Sequence, residues 1–322
     1  FKIILQKRIF LRKVSFFYLK KFFICGKINK TDFKEILQMV ELKNEFLTVD
    51  ISETGAEIHS VKDTDGNEYM WTADPNVWGM HAPLVFPICG GLKDDKYFVH
   101  GKEYTLAKHG FARFMTFDVE KASKTEAVFL LTATDETRKQ YPFEFELRVI
   151  YTLSGKTLSV KYDVTNKSDV DMYYGIGGHE GYLCEDGIEN YDVVFEENET
   201  LKSQVLHGNL LADEYLPIIE NTNVLPLKYD YFAVDALVFK SVKSNSVTLV
   251  HRNGTRKIQV DFAGFNCLML WTKPGAPYIC IEPWSSAPDD EASDYDFTKK
   301  FCITKLTPNE TKTNLHTITF EK

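Results

Sequence analysis

The chain has 322 residues, 44% of them hydrophobic and 14% aromatic, so it can bury a large core and is not a disordered chain. Its formal charge of −8 is unevenly spread: residues 1–38 hold eight Lys, two Arg, one Asp and one Glu, or +8, which leaves −8 − 8 = −16 on residues 39–322. A body that acidic argues against nucleic acid and anionic membrane as main partners.

In chain order, residues 1–38 come first and stand apart. They are basic and apolar, from Phe1-Lys2-Ile3 to Phe22-Phe23-Ile24-Cys25, but charges interrupt them too often for a membrane span of about 20 apolar residues. No small-residue cleavage site follows a clean apolar run, so they do not read as a signal peptide. They read as a basic extension outside the fold, with an amphipathic membrane-surface helix as the second reading. The first domain-like segment begins at Met39.

From Met39 onward, period-two alternation dominates and helical periodicity is scarce. Phe143, Phe145, Leu147, Val149 and Tyr151 alternate with Glu144, Glu146, Arg148 and Ile150, and Leu158, Val160, Tyr162 and Val164 with Ser159, Lys161 and Asp163. These are half-buried antiparallel strands. Further strands are predicted over 46–52, 56–62, 97–106, 126–133, 171–176, 191–196, 236–241, 246–251, 256–262, 267–271, 277–282, 301–306 and 313–320. Asp65-Gly66-Asn67, His100-Gly101-Lys102, Ser154-Gly155-Lys156 and Asn253-Gly254-Thr255 read as hairpin turns. With no Pro- or Ser-rich linker between so many strands, residues 39–322 read as one large all-β sandwich. The stretches 71–113, 177–190 and 283–297, rich in Gly, Pro, aromatics and charges, are the loops expected to build a site on that scaffold.

Six cysteines (Cys25, Cys89, Cys184, Cys267, Cys280, Cys302) show no C-x-x-C spacing, and several lie in apolar runs where a reduced thiol behaves as a small hydrophobe. The reading is a reducing, cytoplasmic location. His59, His81, His100, His207, His251 and His316 show no metal-ligand spacing, and no metal is expected.

Two residues stand out chemically. Glu282 closes the otherwise apolar run Tyr278-Ile279-Cys280-Ile281-Glu282-Pro283-Trp284, and His179 ends Tyr174-Gly175-Ile176-Gly177-Gly178-His179. An imidazole, with an unperturbed pKa of about 6.5, suits a general acid, and a carboxylate ionised at pH 7 suits a general base. Opening a cyclic hemiacetal needs such a pair and no metal or redox cofactor. Read locally, each could equally be a turn residue satisfied by backbone or a solvent-facing carboxylate.

The stretch Lys108-His109-Gly110-Phe111-Ala112-Arg113 adds a second histidine and a cation. In that order, with Gly177-Gly178-His179 and Ile281-Glu282-Pro283-Trp284, the chain resembles the aldose 1-epimerase (galactose mutarotase) family, and most closely its LacX-like bacterial branch. Tyr69-Met70-Trp71, Asp74-Pro75, Trp78 and Ala82-Pro83-Leu84-Val85-Phe86-Pro87 are similar to that branch's early region, and Pro288-Asp289, Lys300 and Leu306-Thr307-Pro308 to its C-terminal region, so the resemblance covers residues 39–322. It implies a galactose mutarotase-like supersandwich, with His179 as general acid, Glu282 as general base, and His109 and Asp235 as substrate-binding residues. Arg113 is either a sugar ligand or a structural ion-pair partner, and Trp284 either a core aromatic or an apolar wall for a pyranose.

The chain departs from the family pattern twice. Gly91 stands where relatives usually carry an arginine, a loss of forked donors for sugar hydroxyls. Glu180 follows His179 where the family usually has proline; it either turns inward and raises the His179 pKa or faces solvent. The resemblance implies a cofactor-free epimerase interconverting α and β anomers of a sugar. The alternatives are a hexose-phosphate 1-epimerase and a sugar-binding or regulatory module with little turnover.

Overall fold

The computed structural model describes residues 38–322; the basic extension, apart from Gln38, lies outside the described residues. Its largest sheet has nine antiparallel strands in the order β13-β12-β15-β16-β20-β9-β8-β7-β6. These are β6 (Asp118–Ala122), β7 (Glu126–Thr132), β8 (Phe145–Ser154), β9 (Thr157–Asn166), β12 (Tyr191–His207), β13 (Leu210–Pro226), β15 (Ser246–His251), β16 (Lys257–Asp261) and β20 (Thr311–Glu321). The alternation read from the sequence is what builds it: in β8 and β9 every second side chain, Phe145 to Leu153 and Leu158 to Val164, is buried. Each large apolar side chain so buried contributes about 1.5–3 kcal/mol.

A second sheet, ordered β11-β18-β17-β14, consists of β11 (Glu180–Leu183), β14 (Leu237–Phe239), β17 (Cys267–Trp271) and β18 (Tyr278–Trp284). One face of it, carrying Tyr182, Ile279, Ile281, Leu268, Leu270, Leu237 and Phe239, joins the buried face of the large sheet in a single apolar cluster that runs from Leu42 to Phe320. The two sheets thus form a sandwich with the core between them. Smaller sheets flank it: β1 (Met39–Lys43), β2 (Leu47–Ser52) and β3 (Ile58–Asp63); β4 (Lys96–Val99) with β5 (Lys102–Thr105); and β10 (Met172–Tyr174) with β19 (Thr304–Leu306). The all-β supersandwich that the resemblance implied is present. Among the described residues no helix is long and apolar enough to cross a membrane.

Several elements differ from the sequence reading. The span 97–106, predicted as a strand, is two strands, β4 and β5, joined at the His100-Gly101 turn that the sequence marked. The strand predicted over 191–196 runs on to His207 and pairs with β13, which the sequence reading lacks. This long hairpin is rich in Glu and Asn, which strands disfavour, and its register shifts four times. Strands β1, β6 and β11 and a short helix, α1 (Asp135–Gln140), are likewise absent from that reading. The helix is marked by a capping box in which the Thr134 hydroxyl accepts the Thr137 N–H and the Thr137 hydroxyl accepts the Thr134 N–H.

Candidate active site

The second face of the small sheet carries the site. Because successive side chains of a strand point to opposite faces, Tyr278, Cys280, Glu282 and Trp284 of β18 share one side while Ile279 and Ile281 face the core. Glu180 pairs with Ile281 and Gly181 with Cys280, so the residue just before β11, His179, comes opposite Glu282. β17 places Met269 beside Glu282 and Trp271 beside Cys280. Both faces of β18 are covered, and all seven of its residues are buried. That is why a segment carrying the key carboxylate reads as almost wholly apolar.

His179 and Glu282 meet directly, with Nε2 3.4 Å from Oε2, on the wall of a cleft of about 450 Å³. That volume lies within the range of small-molecule sites. The approach of the two chain segments depends on Gly177: it bridges to Trp284, and a Cβ there would collide with the Pro283 carbonyl and the Trp284 ring. The Trp284 indole N–H in turn donates to the Gly178 carbonyl at 2.9 Å and fixes the turn that carries His179.

Burial sets the electrostatics. Glu282 is 1% exposed, and desolvation pushes its carboxyl well above the ordinary carboxylate range, with the Lys108 ammonium opposing. Desolvation likewise depresses the His179 imidazolium to about 3. Desolvation thus favours the neutral form of both groups, against the ionised carboxylate expected from the sequence. Their contact is a path by which a proton can move between them. Neither His179 Nδ1 nor Glu282 Oε2 has a hydrogen-bond partner within the protein, so both remain available to a polar ligand.

The other residues singled out in the sequence gather around this pair. His109 is buried, its ring edge-on to His179 at 5.5 Å and to Trp284 at 5.3 Å. Its Nδ1 accepts the Gly90 N–H at 3.3 Å, which leaves the proton on Nε2, and burial followed by the charge field of its neighbours pushes the imidazolium far down, so His109 is a neutral donor. Asp235 lines the cleft, caps the Ala236 N–H at 2.8 Å and stands 3.8 Å from the Lys108 ammonium. Arg113 also lines it; one guanidinium nitrogen donates to the Lys108 carbonyl at 2.8 Å, while Nε is buried without a partner. Trp284 borders the cleft, as its neighbour Glu282 does.

Sequence reasoning missed part of the site. Trp78 and Trp271 lie 5.1 and 5.7 Å from the His179 ring, Trp78 stacked on Tyr278, and they share the aromatic wall with Trp284, the indole the sequence favoured for it. In the sequence Trp78 reads only as a core or stacking aromatic, and Trp271 carries no local signal beyond its strand. Asn209, at the tip of the unpredicted β12–β13 hairpin, also lines the cleft. A Cβ on Gly91 would lie 2.7 Å from the Asn209 Cβ, so glycine at 91 is what admits this amide. Glu180 adopts neither of the postures that the sequence leaves open to it. It is buried on the core face, away from His179, with Oε1 3.0 Å from His316 Nε2 of β20.

Comparison with known proteins shows the family and the fold. The aldose 1-epimerase family profile matches residues 38–304. The protein called LacX of Lactococcus lactis subsp. lactis, in its plasmid form, is 36% identical over 294 residues, which cover 87% of this chain and 98% of that one. This chain belongs to the aldose 1-epimerase family. A galactose mutarotase related enzyme of Lactobacillus acidophilus superposes with a TM-score of 0.83 at 34% identity, over 88% of this chain and 97% of that one. A galactose mutarotase-like protein of Lactobacillus casei gives the same TM-score at 29% identity, over 88% and 99%. Among aldose 1-epimerase family members the LacX-like branch is therefore the right one for this chain, and family and fold together support a carbohydrate epimerase, an enzyme of the isomerase class.

Proposed function

We propose that this protein interconverts the α and β anomers of an aldose, with His179 and Glu282 as the acid–base pair, in the cytoplasm. The observation that carries the proposal is the direct Nε2–Oε2 contact of 3.4 Å between two groups 103 positions apart (282 − 179), both on the wall of one cleft of pyranose-accommodating size. The anomeric hydroxyl oxygen and the ring oxygen hang on the same carbon, so the groups that serve them need to be near neighbours and not a ring-width apart.

Glu282, having passed its proton to His179, takes the proton of the anomeric hydroxyl. The O–H electrons form the carbonyl, the bond from the anomeric carbon to the ring oxygen breaks, and the ring oxygen receives the proton held by His179. Rotation about the adjacent carbon–carbon bond and the reverse steps close the ring with the opposite anomeric configuration. Positioned acids and bases of this kind contribute about 10² to 10⁴-fold each. The neutral His109 supplies an N–H to ring-region oxygens, Asp235 accepts from a sugar hydroxyl, Arg113 lends a fixed positive charge, and Trp78, Trp271 and Trp284 face the apolar side of the pyranose.

A hexose phosphate is the second substrate reading, favoured by Lys108, Arg113 and Lys273 on the cleft wall. The Lys108–Asp235 pairing and the Lys273 ammonium's bond to the Val77 carbonyl make the neutral sugar the better fit. The test is anomer exchange of freshly dissolved α-glucose and α-galactose, with their 6-phosphates alongside, followed by polarimetry or NMR. Measurable sugar binding with no acceleration for any substrate would replace the enzyme by a sugar-binding module with the same cleft.

A further inference from the structure

Outside the cleft, the fold brings together two histidines that no sequence pattern pairs. Glu57 immediately precedes β3, His59 is the second residue of β3, and His81 lies in the long loop that leads from Trp71 to Pro83. Glu57 Oε2 is 3.2 Å from His59 Nε2, and the His59 and His81 rings stack with centroids 4.2 Å and planes 19° apart. One ligand atom from each of the three side chains lies within 4.8 Å of the other two. Glu57 is 8% exposed, and its Oε1 accepts the backbone N–H groups of His81 and Ala82 at 2.8 and 2.9 Å, which fixes the carboxylate with Oε2 toward the imidazoles.

We propose that Glu57, His59 and His81 form a binding site for a divalent transition-metal ion of the zinc type. Two imidazole nitrogens and one carboxylate oxygen are the donor set such an ion takes, with bonds of about 2.0–2.2 Å and a fourth position left to water. Tetrahedral coordination at those lengths sets ligand atoms about 3.3 Å apart, so the cluster closes by rotating the partly buried imidazoles about a carboxylate already held by backbone. The stacked rings are then the metal-free arrangement of the same ligands.

The site's position gives it a consequence. The His81 carbonyl accepts the Gly181 N–H at 2.9 Å, next to the segment that carries His179, and the His81 loop sends Trp78, Met80 and Pro83 into the cleft. A bound ion ties this wall to β3.

The experiment must separate this site from a second group with metal-ligand spacing, His179, Cys280 and Glu282, which belongs to the cleft. Chelator-stripped full-length protein is titrated with Zn²⁺ in competition with a chromophoric chelator, and Cu²⁺ is added separately for electron paramagnetic resonance. The expected result is one equivalent of Zn²⁺ bound with a raised Tm, and Cu²⁺ hyperfine splitting from two imidazole nitrogens. His59→Ala and Glu57→Gln should each weaken Zn²⁺ binding at least about 100-fold, since even indirect partners of a ligand are worth 10–100-fold. His59 sits at the partly exposed edge, so its removal tests the site even if His81→Ala does not fold. Wild-type affinity in His59→Ala overturns the proposal. So does a Cd²⁺–thiolate absorption band that Cys280→Ser abolishes, which would put the ion in the cleft.

Discussion

Glu282→Gln separates chemistry from stability at one atom. The side chain is 1% exposed, Oε2 has no hydrogen-bond donor, and its nearest titratable partner is the neutral His179 at 3.4 Å. Glutamine keeps the volume and cannot ionise, so it removes the base and should lower the mutarotation rate by about 10²-fold or more while the fold survives. The effect on stability has the opposite sign. Because the folded-state pKa of Glu282 is raised above its unfolded value, the contribution of this group to stability is fully present below the unfolded value, about 4.3, and is lost as pH rises from there through the folded value. Each tenfold change in proton affinity between the two states is worth about 1.4 kcal/mol. A glutamine in place of Glu282 removes that loss, so the variant should match the wild type near pH 4 and exceed it increasingly at higher pH. A gain of about 1–3 kcal/mol, the usual cost of a buried unsatisfied polar group, would appear as a Tm higher by roughly 2–4 °C per kcal/mol in a chain of this size. Thermal melts from pH 4 to 9, run beside anomer exchange, read both effects. A variant that is equally or less stable than the wild type at pH 8, or that keeps its rate, would refute the assignment of Glu282 as a desolvated catalytic base.

Further outcomes follow from neighbouring residues. His179, depressed to about 3 from an unfolded value near 6.5, contributes stability that is present above pH 6.5 and lost as pH falls toward 3; His179→Gln should flatten this acid limb of Tm against pH and lower the rate by about 10² or more. In the wild type, the same depression should carry enzymatic anomer exchange, after subtraction of the buffer-catalysed rate, well below pH 6.5, and a midpoint at 6.5 in the pH profile would count against it. Trp284→Phe loses the bond to the Gly178 carbonyl, about 1 kcal/mol, and frees the turn that carries His179, so kcat should fall more than KM rises. Gly91→Arg brings its Cβ to 2.7 Å from the Asn209 Cβ and should destabilise by about 1–3 kcal/mol as overpacking does. Adding Asn209→Gly should recover that loss, as a calorimetric comparison of the two variants would read.

How far the sequence reached can be followed residue by residue. Alternation in β8, β9 and β20 reflects one buried face and one exposed face on each strand, a one-dimensional signal of a sheet covered on one side. The β12–β13 hairpin lacks that signal because it is polar, bulged and at the sheet's edge, and the Asn209 it delivers to the cleft was therefore out of view. Glu180 shows the same limit at one residue: its neighbour His179 faces the cleft, and only strand pairing decides that Glu180 must face the core and meet His316.

The sequence by itself determined the all-β class and the ordered set of His109, His179 and Glu282, because both are written in local periodicity and short motifs. Tertiary structure alone decided that His179 touches Glu282, that three tryptophans wall the cleft, that Asn209 fills the space beside Gly91, and that His59 and His81 converge on Glu57. It also shifted the Glu282 carboxyl toward its protonated form. Proton affinity depends on how much water the surrounding sheets exclude, and that quantity belongs to the packed sandwich and to no segment of the chain.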